Sequence, residues 1–542
     1  MNFANNALRI VALSGPISAG KSALAVGLAQ RYGAQIIKTR DLIRMQLPKV
    51  KEERAALQRA GERLDRADGG AWVKNALVRF IEDNVGGPAA NGFFVIDSAR
   101  IAGQVRAVRD AYGAAVHHIH LDASDSVLAE RYARRSGKTK EFDHYEGVRH
   151  SKTEREVRRL ADLADTVVAT DRCTPEAVLI RSVALLGLYP RMSTPLVDVL
   201  VGGQYGSEGK GNIVGHIAPE YSLLVRVGGP NAGHKVYAEP EPEAYFHLPS
   251  GTERASKAHL LLGAGAVIYP PKLLSEIATH HVDAERLSID PQAMIIEDAD
   301  IELEKEVLAT ISSTAQGVGA ASSRKIMGRG GKTAPKVRLA KHVDELRPFI
   351  RESQVILERA FTRGERVLLE GTQGTTLSLH HGIYPWVTSR ETSVAGCLAD
   401  AGIASTRVRR VIMVCRTYPI RVGGPSGHME LEITYDELAN RSGIDINELK
   451  KTETTTTTKR QRRLGEFDWE QLHRSTMLNG PTDIALTFVD YLNKVNRDAF
   501  RFDQLTLETL RFIEEVERVS GVPVSLISTN FNWRNVIDRR AW

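Results

Sequence analysis

The chain has 542 residues, of which 42% are hydrophobic and 25% charged, with a formal net charge of +6. That balance belongs to a globular protein of roughly two to four domains, and no apolar run approaches the ~18 residues that mark a membrane span. Cys173, Cys397 and Cys415 form neither a metal spacing nor a disulfide framework, so a reducing cytoplasm is expected. The basic residues are not gathered in one tail. The densest cluster, Lys459 to Arg463, follows a threonine run inside a globular segment. Small anionic ligands are therefore expected, not nucleic acid or a membrane surface.

The N-terminus lacks the basic flank and apolar length of a targeting peptide. Leu8 to Ser14 is a short apolar run expected to be a buried strand. The sequence from Gly15 to Ser22, GPISAGKS, follows it and leads into helical periodicity over Lys21 to Arg31. In that strand–loop–helix context, G-x-x-x-x-G-K-S reads as a phosphate loop. Gly15 and Gly20 let backbone N–H groups turn inward, Lys21 supplies a cation and Ser22 an oxygen for Mg²⁺. Strand-like runs recur at Gly92–Ile96, Val116–Leu121 and Thr166–Ala169, separated by helical stretches. Strands alternating with helices predict a parallel sheet covered on both faces.

This first unit resembles the nucleoside and deoxynucleoside monophosphate kinases of the phosphate-loop class. The resemblance implies an acceptor-binding segment starting at Lys38-Thr39-Arg40-Asp41. It also implies a role for Asp97 in holding Mg²⁺ or the acceptor, with Arg100 beside it, and a lid carrying Arg131, Arg134 and Arg135. The alternative for those arginines is a solvated helix face, and the acceptor itself is not legible.

The alternation restarts at Leu196–Val201, after a linker at Pro190–Pro195 that contains two prolines. The reading is α/β: two phosphate-binding domains, 1–190 and 195–542, each with a mainly parallel sheet flanked by helices. A second glycine loop, GGQYGSEGKGN, follows the strand, and LLVRVGGPNAGHKV comes next. Then come STAQGVG, LEGTQGTTLSLHHGIYPWVTSRETS, PIRVGGPSG, TTKRQRR and VSLISTN. These blocks, in this order, resemble the adenylosuccinate synthetase family over roughly residues 195 to 542.

The resemblance implies a ligase that phosphorylates a purine 6-oxygen and displaces that phosphate with the amine of L-aspartate. Gly206, Gly209, Lys210 and Gly211 would cradle the donor phosphates, His234 would stabilise the transferring phosphoryl group, and the Gly233 carbonyl would ligate Mg²⁺. Asn231 matches an acceptor-binding position, Thr314 and Thr388 match positions that hold the acceptor's 5′-phosphate, and Gln373 matches one that contacts its base. Thr457, Thr458, Arg460 and Arg462 match the loop that captures aspartate, a task suited to guanidinium forks. Family members are homodimers in which an arginine completes the partner's acceptor site, here Arg329 or Arg324.

Two departures bear on substrates. Ser207 stands where the family carries the aspartate that removes the N1 proton, and serine is a poor base. Serine there resembles the phage-type branch that makes N6-succino-2-aminodeoxyadenylate, which favours dGMP or GMP over IMP. The family's guanine-reading K-x-D is Phe488-Val489-Asp490. Asp490 remains a nucleotide-binding expectation, but loss of the lysine brings ATP or dATP forward beside GTP as donor. The competing readings are an IMP-using synthetase and an inactive nucleotide sensor.

Overall fold

A computed structural model describes residues 8–51, 54–85, 92–134, 144–150, 152–188, 194–454 and 460–540. The chain forms two compact units, Met1–Pro190 and Arg191–Trp542.

The first unit runs β1 (Arg9–Ser14), α1 (Lys21–Tyr32), β2 (Gln35–Lys38), α2 (Thr39–Gln46), α3 (Arg54–Asp68), α4 (Ala71–Val85), β3 (Phe93–Asp97), α5 (Ala102–Tyr112), β4 (Val116–Asp122), α6 (Asp125–Ala133), α7 (Tyr145–Arg149), α8 (Lys152–Arg158), β5 (Thr166–Ala169) and α9 (Pro175–Val183). The sheet order is β2-β3-β1-β4-β5, and every pairing is parallel. β1 lies at the centre because both of its faces are apolar. Val11 and Leu13 pack with Leu24, Leu28 and Ile119 on one side. Ile10 packs with Ile37, Phe94 and Trp72 on the other. β2 escaped the sequence reading because it is four residues long with only Ile37 buried.

The second unit holds a nine-stranded sheet. Its order is Leu287–Ile289, His259–Leu262, Leu223–Arg226, Val367–Glu370, β6 (Val197–Gly202), Val408–Arg416, Asp483–Thr487, Val524–Ser528 and Val536–Asp538. Only the last pair is antiparallel. All six residues of β6 are buried. Val197, Val199 and Val201 face one core, and Leu200 faces the other together with α10 (Lys210–Ile217). The buried Asp198 is satisfied by Arg409 and by the Tyr221 hydroxyl at 2.6 Å. Both units are α/β with mainly parallel sheets flanked by helices. Among the described residues no helix is long and apolar enough to cross a membrane.

This topology positions the site. The loops after β6, Leu223–Arg226, Val367–Glu370, Val408–Arg416 and Asp483–Thr487 all leave the carboxyl ends of parallel strands, where open α/β sheets bind ligands.

Candidate active sites

In the second unit the loop after β6 wraps around a buried carboxylate. Glu208 Oε1 accepts from the backbone N–H groups of Gln204 (3.0 Å) and Gly206 (2.7 Å). Its Oε2 takes the Lys210 ammonium at 2.7 Å, and both side chains are 1% exposed. Gly206 has φ 95°, and a Cβ there would stand 3.0 Å from the Cα of Gln373, so the two loops interlock only without a side chain. Gly209 caps α10, and Gly211 lies in its first turn. Glu208 stands as a fixed letter in the glycine-loop motif, but sequence reasoning gave it no role, because nothing local shows that its carboxylate turns inward.

His234 begins the strand after the next loop and is buried. Its Nδ1 lies 2.5 Å from Glu370 Oε1. Glu370 also receives Arg226 Nη1 at 3.0 Å and the Ser250 backbone N–H at 2.8 Å. Burial works to raise the Glu370 pKa, but Arg226 and His234 outweigh it and hold the carboxyl ionised. A carboxylate only accepts, so the His234 Nδ1 carries the hydrogen. Burial first and Arg226 second push the imidazole down to about 4, so it is neutral at pH 7. Its Nε2 is buried with no hydrogen-bond partner.

Beside it lies a cavity of about 210 Å³, lined by Ser207, Asn231, Gly233, Thr314, Gln373 and Thr388, with Trp386, Tyr205, Arg421 and Arg462 among its other walls. With Gly206, which also lines it, eight predicted site residues therefore meet in one place. Among the described residues no Asp or Glu lines this cavity, and its charges there are the two guanidiniums. Gln373 Nε2 and Asn231 Nδ2 both donate to the Thr388 hydroxyl, at 2.5 and 3.4 Å. Their oxygens, Gln373 Oε1 and Asn231 Oδ1, are buried and unpartnered. Two amide acceptors are thus left open in a carboxylate-free pocket.

Arg462 Nη1 lies 3.2 Å from Glu453. Glu453 is fully buried and also takes Arg416 Nη2 at 2.5 Å and the Tyr491 hydroxyl at 2.8 Å. Arg416 donates to the Ser207 carbonyl at 3.2 Å and stacks on the Phe488 ring at 3.9 Å. Sequence reasoning passed over Glu453 and Arg416, which join the loops at 207, 453–463 and 488. Thr457 and Thr458 lie outside the described residues, and Arg460 is exposed at their edge. Asp490 is buried beneath Phe488, with Oδ2 receiving Arg497 Nε at 3.0 Å, and burial raises it to about 6. Arg324 is tied to Asp300 at 2.5 Å and to Glu297 at 3.2 Å within its own chain. Arg329 is exposed, with Nε donating to the Ile326 carbonyl at 2.7 Å.

In the first unit, Gly15, Gly20, Lys21, Ser22, Asp97, Arg40 and Arg100 line a cavity of about 600 Å³. A larger one of about 970 Å³ shares Thr39, Arg40, Gln58, Arg100 and Thr153 with it and extends to Asp65 and Trp72. Gly15 has φ 136°, and a Cβ there would collide with the Leu121 carbonyl at 2.1 Å. Ser22 Oγ donates to Asp97 at 3.1 Å. Lys21 Nζ bonds the loop carbonyls of Gly15 (2.6 Å) and Pro16 (2.8 Å). Glu154, from α8, accepts the Ile17 N–H at 3.0 Å. Arg131 lines the smaller cavity but is bonded to Thr170 at 2.9 Å, and Arg134 pairs with Glu130 at 2.5 Å on the surface. Arg135 lies outside the described residues.

A glycine loop at the carboxyl end of a central strand in each unit defines an α/β protein of the kind that binds ligands there, and the blocks of the second unit specify its class. The family description "Adenylosuccinate synthetase" matches residues 199–340 and 334–497. The chain belongs to the adenylosuccinate synthetase family. The adenylosuccinate synthetase of Pyrococcus sp. (strain ST700) is 37% identical over 351 residues, which are 63% of this chain and 98% of that protein. That of Methanocaldococcus jannaschii is 37% identical over 350 residues, 63% of this chain and 96% of its own. The fold matches the Plasmodium falciparum adenylosuccinate synthetase with a TM-score of 0.55 at 22% identity, over 64% of this chain and 100% of that one. It also matches the succinoaminodeoxyadenylate synthetase (PurZ) of cyanophage S-2L, solved with dGMP and with dATP as an energy donor. There the TM-score is 0.53 at 26% identity, over 64% of this chain and 96% of that one. The second unit is thus an adenylosuccinate synthetase-type ligase.

Proposed function

We propose that this ligase condenses L-aspartate with C6 of a 2-amino purine monophosphate, dGMP or GMP, through a 6-phosphoryl intermediate. The observation that carries the reading is the base pocket around Ser207. Among the described residues it has no carboxylate, and its open Gln373 and Asn231 oxygens ask for N–H donors. A guanine ring offers N1–H and a 2-amino group, whereas hypoxanthine offers N1–H alone. The likeness to a protein solved with dGMP supports the same choice.

In this reading Lys210, released from Glu208, holds the donor phosphates with Gly206, Gly209 and Gly211. His234 donates to the moving phosphoryl group, Thr314 and Thr388 bind the acceptor, and Arg460 and Arg462, with Thr457 and Thr458, take the aspartate carboxylates. ATP or dATP is the donor. The half-buried Phe488 ring, backed by the buried Arg416 guanidinium, lies beside Gly209 as a surface for the base, while Asp490 gives its Oδ2 to Arg497 and keeps a buried Oδ1 open. Among the described residues no group of three His, Cys, Asp or Glu side chains is set to hold a metal. With serine at 207, the protein oxygens near the Gly233 carbonyl are neutral and do not make a magnesium site alone. Magnesium accompanies the triphosphate as part of the substrate there.

The first unit, in the same reading, is a nucleoside monophosphate kinase. Ser22 and Asp97 are a donor pair that fits Mg²⁺, which when bound would neutralise charge on the transferred phosphoryl group. Lys21 holds the donor phosphates, and Arg40 and Arg100 face the acceptor side. The protein is a cytoplasmic homodimer, with Arg329 reaching toward its partner; light scattering that found an active monomer would remove that element.

The decisive assay offers IMP, dIMP, GMP and dGMP separately, with aspartate, Mg²⁺ and ATP, dATP or GTP. Succinyl-nucleotide from GMP or dGMP is expected. Efficient use of IMP alone would overturn the guanylate assignment and leave the ligase in place.

A further inference from the structure

One side chain of the acceptor pocket is explained neither by the phosphate loops nor by the aspartate arginines. Ser312 has φ 52°, a left-handed conformation that disfavours every residue but glycine. Its hydroxyl lines the pocket, is buried, and has no hydrogen-bond partner. Each feature is unfavourable in the free protein, and glycine would abolish both. Strain and an orphan donor at one residue in a ligand cavity point to a partner that arrives with the ligand.

The position narrows the partner. Ser312 precedes Thr314 by two residues, on the loop assigned to the 5′-phosphate end. Its Oγ faces the opposite loop, lying 2.9 Å from where a Cβ on Gly424 would stand, and that same point is 3.9 Å from Arg460 Nη1. The base end of the pocket is marked by Gln373 and Ser207. What a nucleotide places between its phosphate and its base is the sugar, whose free polar groups are hydroxyls. We infer that Ser312 is a specificity residue whose hydroxyl hydrogen-bonds a sugar hydroxyl of the acceptor nucleotide. This rests on reading the cavity as the purine monophosphate site.

The test is steady-state kinetics of the full chain with the preferred base in three sugars, ribose, 2′-deoxyribose and 3′-deoxyribose, for wild type, Ser312→Gly and Ser312→Ala. Both variants should raise KM for the monophosphate about three- to tenfold, the scale of one lost hydrogen bond, with KM for aspartate and donor unchanged. Ser312→Gly should also raise Tm, because it relieves the backbone. That gain separates loss of recognition from loss of fold. The sugar lacking the partner hydroxyl should cost the wild type that same factor and cost Ser312→Gly nothing; the 2′- and 3′-deoxy arms identify which hydroxyl it is. A rise in KM for aspartate alone would assign Ser312 to the amino acid and overturn the inference. Equal sugar discrimination in wild type and variants would overturn it too, while the ligase reading stood. If wild type formed succinyl-nucleotide from no purine monophosphate, both readings would fall.

Discussion

The His234 imidazole, as the protein stands without ligand, cannot do what the proposed reaction asks of it. Its Nδ1–H is committed to Glu370, and a neutral ring presents only a lone pair at Nε2. To donate to a phosphoryl oxygen it must gain a second proton. A multiply charged phosphate against Nε2 supplies the compensation that burial denies, and raises the pKa from about 4. Formation of the donor–acceptor complex at pH 7 should therefore take up about one proton per site, read by calorimetry in buffers of different ionisation heat. His234→Asn should abolish the uptake and lower kcat by about 10²- to 10³-fold. Uptake unchanged in that variant would remove the histidine from the step. A second residue-scale expectation concerns Ser207. An aspartate there would bring a carboxylate into a pocket without one, against the space the 2-amino group needs. Ser207→Asp should cut turnover of GMP or dGMP relative to IMP by about 10- to 200-fold. A ratio of the two kcat/KM values that did not move would refute the assignment.

At the scale of elements, each glycine loop has a carboxylate that accepts from its backbone N–H groups. Glu208 does so from inside its own loop, and Glu154 does so from α8, packed across the first unit's loop. In the proposed kinase reading a triphosphate competes with Glu154 for the Ile17 N–H, so that contact opposes binding. Glu154→Gln should tighten ATP binding to the first unit about three- to tenfold, by titration with Lys21→Ala as the non-binding control. Weaker binding in the glutamine variant would mean that Glu154 serves the bound state instead. These carboxylates also mark where sequence reading stopped. β1, β3, β4 and β5 of the first sheet and β6 of the second were legible as short apolar runs, and the loops were legible because glycine spacing repeats with strand–helix context. The groups that hold the site ready were not. Glu370 lies in a recognised block, but its bond to His234 spans 136 positions, and the Arg416–Glu453 pair spans 37. Such pairs are made by the order of strands in the sheet, which no local pattern encodes. Asp490 shows the converse, since its motif was visible but its commitment to Arg497 was not.

For the whole molecule, the two compact units have separate cores, and the archaeal synthetases align over nearly their full length with the second alone. Both units bury neutral histidines. His120 is pushed down to about 4 and His234 to about 4, each chiefly by burial, and His247 to about 3 by burial and then Lys272. For a base whose folded pKa is depressed, the unfolded chain binds the proton first as pH falls below ~6.5. Stability is thus fully present above that value and declines as pH drops toward 4. Each such group costs about 1.4 kcal/mol per pH unit, or about 2 kcal/mol by pH 5. Asp490 works in the opposite sense, because burial raises it to about 6 and its folded form gains a proton before the unfolded chain does. One acid offsets only part of three bases, and two of the three, His234 and His247, lie in the second unit with it. Both units should therefore melt lower at pH 5 than at pH 7. The shift should be several degrees, at about 2–4 °C per kcal/mol for units of this size. Scanning calorimetry across pH 5 to 7 checks this. His247→Asn should shrink the acid-side fall of the second unit and leave that of the first untouched, and a melting profile flat from pH 7 to 5 would show that these rings are not held neutral.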